Sequence, residues 1–181
     1  MHWDKAGPEN TEKTIRLALQ KAAELNINNI VVASISGATS KKLVNTSYNV
    51  VCVSAQVGIK KPGNQPMDYE TLKELKESGI QVLVTTHLFA GVDRAARIKF
   101  GGLYPSELMA QTLRTFGQGI KVCFEVSIMA LDAGLIPYGK EIIAIGGTGA
   151  GADTAVVVVP AHSNQIFDAK IKEIICKPRE F

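Results

Sequence analysis

Four hydroxyls surround one glycine in Ser34-Ile35-Ser36-Gly37-Ala38-Thr39-Ser40, and two lysines, Lys41 and Lys42, follow directly. A glycine at a turn lets successive backbone N–H groups point outward, and hydroxyls add donors. The start of a helix adds partial positive charge, so the three together make a cradle for phosphate. Lys41 and Lys42 either add charge or are ordinary solvated residues. A Ser/Thr-capped helix start is the plainer reading of these residue types, but four hydroxyls at one turn favour a ligand loop. A second loop, Gly146-Gly147-Thr148-Gly149-Ala150-Gly151-Ala152-Asp153, carries four glycines in six residues. Gly147, Gly149 and Ala152 have the spacing of a dinucleotide fingerprint, but a β-branched run follows where that motif needs a long helix. An NAD site is therefore rejected. The glycines mean that something approaches the backbone closely or that the chain turns with positive φ. A simple glycine hairpin accounts for them equally well.

Few residues are placed for proton transfer. Thr86 and His87 follow a strand-like run, where His87 either hydrogen-bonds a ligand, acts as general acid or base, or is structural. Glu125 and Asp132 lie seven apart on one helical face, a spacing that suits internal hydrogen bonding better than catalysis. Asp153 is positioned to orient the glycine loop or to hold ligand hydroxyls. His162 falls toward the other edge of the fold and is set aside. No H-E-x-x-H, C-x-x-C, G-x-S-x-G or Walker A pattern occurs, which leaves metalloprotease, zinc, serine-hydrolase and P-loop chemistry, and a metal site in general, without support.

These loops need strands and helices to hold them. Short β-branched runs occur at Asn29–Ser34, Asn49–Ser54, Ile80–Thr85, Glu141–Ile145 and Thr154–Val159, with a last one at Ala169–Cys176. Helical spacing occupies Thr11–Asn26, Asp68–Ser78, Pro105–Phe116 and Ile120–Ala133. Asp68 is a candidate cap and Gly79 a stop. Alternation of this kind predicts an α/β fold with a mainly parallel sheet. Successive apolar residues in Ile30-Val31-Val32-Ala33 and Ala155-Val156-Val157-Val158-Val159 require burial on both faces. Only the glycine loop separates the fourth run from the fifth, too little for a parallel crossover. That pair is antiparallel, or joined by one short helical turn. In such sheets ligands sit beyond the carboxyl ends of the strands, where strand order reverses. If the first and fourth strands are neighbours there, both loops face one crevice.

The 181 residues suffice for one domain, 1–181, and no linker or internal repeat divides them. Hydrophobic residues are 46% and charged residues 20%, ordinary globular values. A net charge of +3, without a basic block, gives no reason to expect a nucleic-acid partner. Apolar runs are strand-sized, so no membrane span is expected, and the opening Met-His-Trp-Asp-Lys does not read as a secretory signal. Cys52, Cys123 and Cys176 sit far apart in apolar surroundings. They are expected to be buried reduced thiols, which suits a cytoplasmic location.

The run Thr11–Asn26, Ile30 to Ser40 and Val50–Val53 resembles the C-terminal domain of pyruvate kinase, in which a strand leads into a Ser-Gly-x-Ser/Thr phosphate loop. The closing Gly146-Gly147-Thr148-Gly149 with Asp153-Thr154 looks more like stand-alone, mostly archaeal relatives of that domain. The resemblance implies a three-layer α/β/α sandwich with strand order 3-2-1-4-5, strand five antiparallel. It implies no kinase activity, because the catalytic residues of pyruvate kinase lie on a barrel domain. It also implies a phosphate at Ser36, Gly37, Thr39 and Ser40. The family's second sugar phosphate needs a loop with basic and aromatic residues, and Gly146–Asp153 has neither Arg nor Trp. Fructose bisphosphate is thereby disfavoured. The expected ligand carries one phosphate and a flat or polar remainder, with flavin mononucleotide (FMN) first among mononucleotides. The candidate contacts are Ser34, Ser36, Gly37, Ala38, Thr39, Ser40, Thr86, His87, Gly146, Gly147, Thr148, Gly149 and Asp153. A binding module, an enzyme working on a flavin or phosphometabolite through His87, and a self-associating homo-oligomer are the three functional readings.

Overall fold

The computed structural model describes residues 1–181. Seven strands form one sheet: β1 (His2–Lys5), β2 (Asn29–Ala33), β3 (Asn49–Ser54), β4 (Gln81–Val84), β5 (Ile142–Gly146), β6 (Thr154–Val159) and β7 (Lys170–Glu180), in the order β1-β7-β6-β5-β2-β3-β4. The expected first five strands correspond to β2 to β6, and 3-2-1-4-5 is the right-hand part of this order read in reverse. Strands β2 to β5 run parallel, and β6 is antiparallel to β5. Loop length alone dictates that reversal: the seven residues between Gly146 and Thr154 cannot carry a crossover helix.

Strand periodicity divides the core in two. Ile30, Val32, Ile143, Ile145 and Val157 face α1 (Thr11–Glu24) and α3 (Tyr69–Glu77) through Ile15, Ala18, Ala22 and Leu75. Val31, Val51, Ala144, Val156 and Val158 face α6 (Gln118–Asp132) through Cys123, Val126, Met129 and Ala130. Both faces of the central sheet are thus covered, which is why β2, β3, β5 and β6 are almost entirely apolar. Twelve of the fifteen residues of α6 are buried, because α5 (Pro105–Arg114) packs on its outer side through Ala110, Phe124 and Ile128. At the burial energy of about 1.5–3 kcal/mol per large apolar side chain, α6 is the main stabilising helix.

Local chemistry sets the helix ends. The Asp68 carboxylate accepts the Thr71 N–H at 2.7 Å, and Gly79 takes φ 86° after the last turn of α3. Asn26 turns the chain after α1 with φ 52°. Two elements were not expected from the sequence. In β1 only Trp3 points inward, and α4 (Val92–Phe100), between Gly91 and Gly101, buries no residue. No helix is long and apolar enough to cross a membrane. The three cysteines are free and buried, and burial pushes the Cys52 thiol up to about 11.

Candidate functional site

The register between β2 and β5 pairs Ile30 with Ile143 and Val32 with Ile145. Their carboxyl ends therefore finish side by side, and Ser34–Ser40 and Gly146–Asp153 leave the sheet from the same edge. The loops after β3 and β4 open there as well. This is where strand order reverses, since β2 is followed by β3 on one side and flanked by β5 on the other.

Inside the first loop the donors divide into two groups. The Ser34 hydroxyl, buried, accepts the amides of Thr39 (3.1 Å) and Ser40 (3.3 Å). These two amides are thus occupied by the protein itself, whereas the buried Ser40 hydroxyl has no partner. The Gly37 amide reaches Ser34 O at 3.4 Å. The amides of Ser36 and Ala38 have no acceptor, and both residues are exposed. Gly37 is required twice over, since its φ is 86° and a Cβ would lie 2.5 Å from Thr71 Cγ2. The helix expected to follow is one turn, α2 (Ala38–Lys41), so its dipole contributes little. Lys41 and Lys42 do not reach the loop: Lys41 pairs with Glu74 at 2.6 Å, and Lys42 pairs with Glu12. In the loop after β3, Lys60 and Lys61 are exposed and form no ion pair, and Val57 is exposed as well. Met67, at the end of that loop, packs against Gly37.

Packing accounts for most of the second loop. A Cβ on Gly146 would sit 3.0 Å from Gly119 O, on Gly147 2.7 Å from Gly151 O, and on Gly151 2.6 Å from Pro8 Cα. Gly149, with φ 80°, has open space around it. Asp153 does orient the loop: its Oδ2 accepts Thr148 N–H at 3.1 Å and its Oδ1 accepts the Thr154 hydroxyl at 2.7 Å. The carboxylate is completely buried, which removes it from ligand contact. Trp3 Nε1 donates to Asp153 O at 2.7 Å and Thr11 Oγ1 accepts Ala152 N–H at 3.0 Å, tying the loop to the start of the chain. Thr148 Oγ1 is buried without a partner, a polar group whose isolation costs free energy unless something fills it.

His87 belongs to a separate, buried cluster. Glu125 forms an ion pair with Lys121, accepts Phe89 N–H at 2.8 Å and lies 3.9 Å from His87 Nδ1. The ring's Nε2 is buried with no partner. Burial lowers the His87 pKa despite the carboxylate beside it, and burial also lowers that of Lys121. Phe89, the aromatic ring at this edge, is buried against Phe124, their centroids 6.3 Å apart. Thr86 lies next to Gly91. Asp132, by contrast, accepts from His162 Nδ1 (2.9 Å) and Ser163 N–H (3.2 Å) far along α6, so the two carboxylates of one helical face serve separate contacts.

Compared with known families, residues 12–158 match the model for the pyruvate kinase alpha/beta domain. The chain belongs to that family. Among solved structures, this pyruvate kinase alpha/beta domain is similar to a pyruvate kinase of Cryptosporidium parvum at 18% identity and TM-score 0.39, over 76% of this chain and 20% of that one. A Cryptosporidium parvum pyruvate kinase in complex with ADP gives 16% identity and TM-score 0.42, over 81% and 22%. The chain spans about a fifth of the length of these proteins.

Proposed function

We propose that this pyruvate kinase alpha/beta domain binds a phosphorylated small molecule at the carboxyl edge of the sheet. The observation that carries the reading is the pair of unengaged amides, Ser36 and Ala38, at an exposed turn whose glycine admits no side chain. Backbone N–H groups of such a turn bind anions with charge-assisted strength. The Ser36 hydroxyl adds a donor, and Lys60 and Lys61 add unpaired positive charge along the same edge. Thr148, in the loop after β5, has a buried hydroxyl without a partner.

For the remainder of the ligand, FMN is the first compound to test. Phe89 is packed against Phe124, so a flavin ring would lie over the exposed side chains of Ile35 and Val57. A binding role is favoured over catalysis because both nitrogens of His87 face the interior, one toward Glu125 and one buried. The phosphate would be held by the Ser36 and Ala38 amides and the Ser36 hydroxyl, with His87 turned away from it.

Ser36→Asp places a carboxylate against the anion turn without altering Gly37. Titration calorimetry with FMN and with inorganic phosphate is expected to show binding to the parent chain and at least a tenfold loss in the variant, about 1.4 kcal/mol. Equal affinity of a folded Ser36→Asp protein overturns the reading. Binding of other mononucleotides in place of FMN would retain the phosphate site and change the organic part.

A further inference from the structure

Outside that edge, a cleft of about 370 Å³ opens between α4, α5 and the segment after β4. Its walls combine three arginines, Arg94, Arg97 and Arg114, with Glu107, Phe89 and Leu103. The buried Lys121 ammonium stands 5.3 Å from the Phe89 ring centroid behind this wall. Three arginines therefore face the single carboxylate of Glu107, an excess of two positive charges along the cleft, while Lys121 behind the wall is paired with Glu125.

The guanidinium groups are held with their ends open. Arg97 donates through Nε to Glu107 Oε1 at 2.6 Å, and Arg114 through Nε to Gln118 Oε1 at 2.7 Å. Neither terminal fork makes a hydrogen bond within the protein, and Arg94 has no partner. A guanidinium fixed at Nε and free at both Nη atoms presents the planar fork that carboxylates and phosphates take in two parallel bonds. The other oxygen of Glu107 is buried and accepts nothing. It needs a donor, such as a hydroxyl, on whatever occupies the cleft. Leu103 and Phe89 supply the apolar side.

We infer that the α4–α5 cleft is a second anion site, separate from the Ser36 turn, for a small phosphate monoester bearing a free hydroxyl. The phosphate is clamped by the forks of Arg94, Arg97 and Arg114, and the hydroxyl donates to Glu107. The inference stands apart from the proposed function, since the cleft shares no residue with the Ser34–Ser40 or Gly146–Asp153 loops.

The test uses the whole chain and glycerol 3-phosphate, glycerol and inorganic phosphate as probes. Calorimetry is expected to show glycerol 3-phosphate binding with a strong salt dependence, inorganic phosphate binding more weakly, and glycerol not binding. Arg94→Gln removes a cation with no structural partner, so its fold should be unchanged by circular dichroism. Its affinity for glycerol 3-phosphate should drop about tenfold or more, whereas Ser36→Asp should leave that affinity as in the parent. Parent-like affinity of folded Arg94→Gln, or no binding of glycerol 3-phosphate up to about 10 mM, overturns the second site. Affinity lost in Ser36→Asp and kept in Arg94→Gln would assign the probe to the first site and also overturn it.

Discussion

The Ser34 hydroxyl accepts the Thr39 and Ser40 amides, leaving Ser36 and Ala38 as the open donors of the loop. This distinction is invisible in a list of hydroxyls, because it depends on which donors the loop satisfies internally. His87 illustrates the same point with charge. Its pKa is lowered by burial, so between its folded value and the ordinary 6.5 the unfolded chain binds more protons than the folded one. Stability from this group is complete above 6.5 and falls as pH drops through that window. Urea midpoints taken between about pH 7 and about pH 5 should therefore decline, and His87→Leu should show a shallower decline. A slope unchanged by His87→Leu would remove the histidine from the account. The sequence marked His87 as an edge residue, and its position after β4 agrees. Its inward orientation comes from Glu125 and Lys121 on α6, 34 to 38 positions away in the chain, and no local pattern announces that contact.

Elements with a two-sided apolar pattern or a one-faced helical spacing were the legible ones. Strands β2, β3, β5 and β6 and helix α6 show the first, and α1, α3 and α5 show the second. Their expected spans, with that of β4, differ from the observed ones by at most two residues at either end. The antiparallel turn at the glycine loop was also readable, since loop length permits little else. Two elements escaped for opposite reasons. β1 shows one apolar residue among polar ones, and α4 carries amphipathic spacing yet buries nothing. The glycine loop was legible as close approach, but its neighbours, Gly119 and Pro8, are distant in the chain. β1 holds that loop through Trp3, whose side chain is buried and whose Nε1–H meets Asp153 O. Trp3→Ala is expected to cost about 3–5 kcal/mol, measured by thermal unfolding. The loss should be accompanied by faster amide exchange at Thr148 and Ala152. An exchange pattern altered only within β1 would contradict this coupling.

For the molecule as a whole, stability is unevenly spread. The sheet and α6 are buried on both sides, whereas α4 rests on α5 and leaves Val92, Ile98 and Phe100 exposed. Opening free energies follow buried contact. In native-state hydrogen exchange, the amides of α4 should exchange first, well before those of β2, β5 and α6, and by local opening insensitive to low denaturant. Global protection of α4 would show that a partner covers it in solution. The same uneven distribution puts the Ser36 turn on the rigid part of the fold and the arginine cleft on the pliant part.

The pairing of β1 with β7 aligns His2 with Lys177 and Lys5 with Glu180, and the Met1 ammonium donates to Ile175 O at 2.9 Å. On a ribosome, at about 5–20 residues per second, the partner of the opening strand is made roughly 10–35 s after it. Trp3 and the turn it steadies must wait through that interval. Nascent chains would therefore fix the Gly146–Asp153 loop only after β7 has been made.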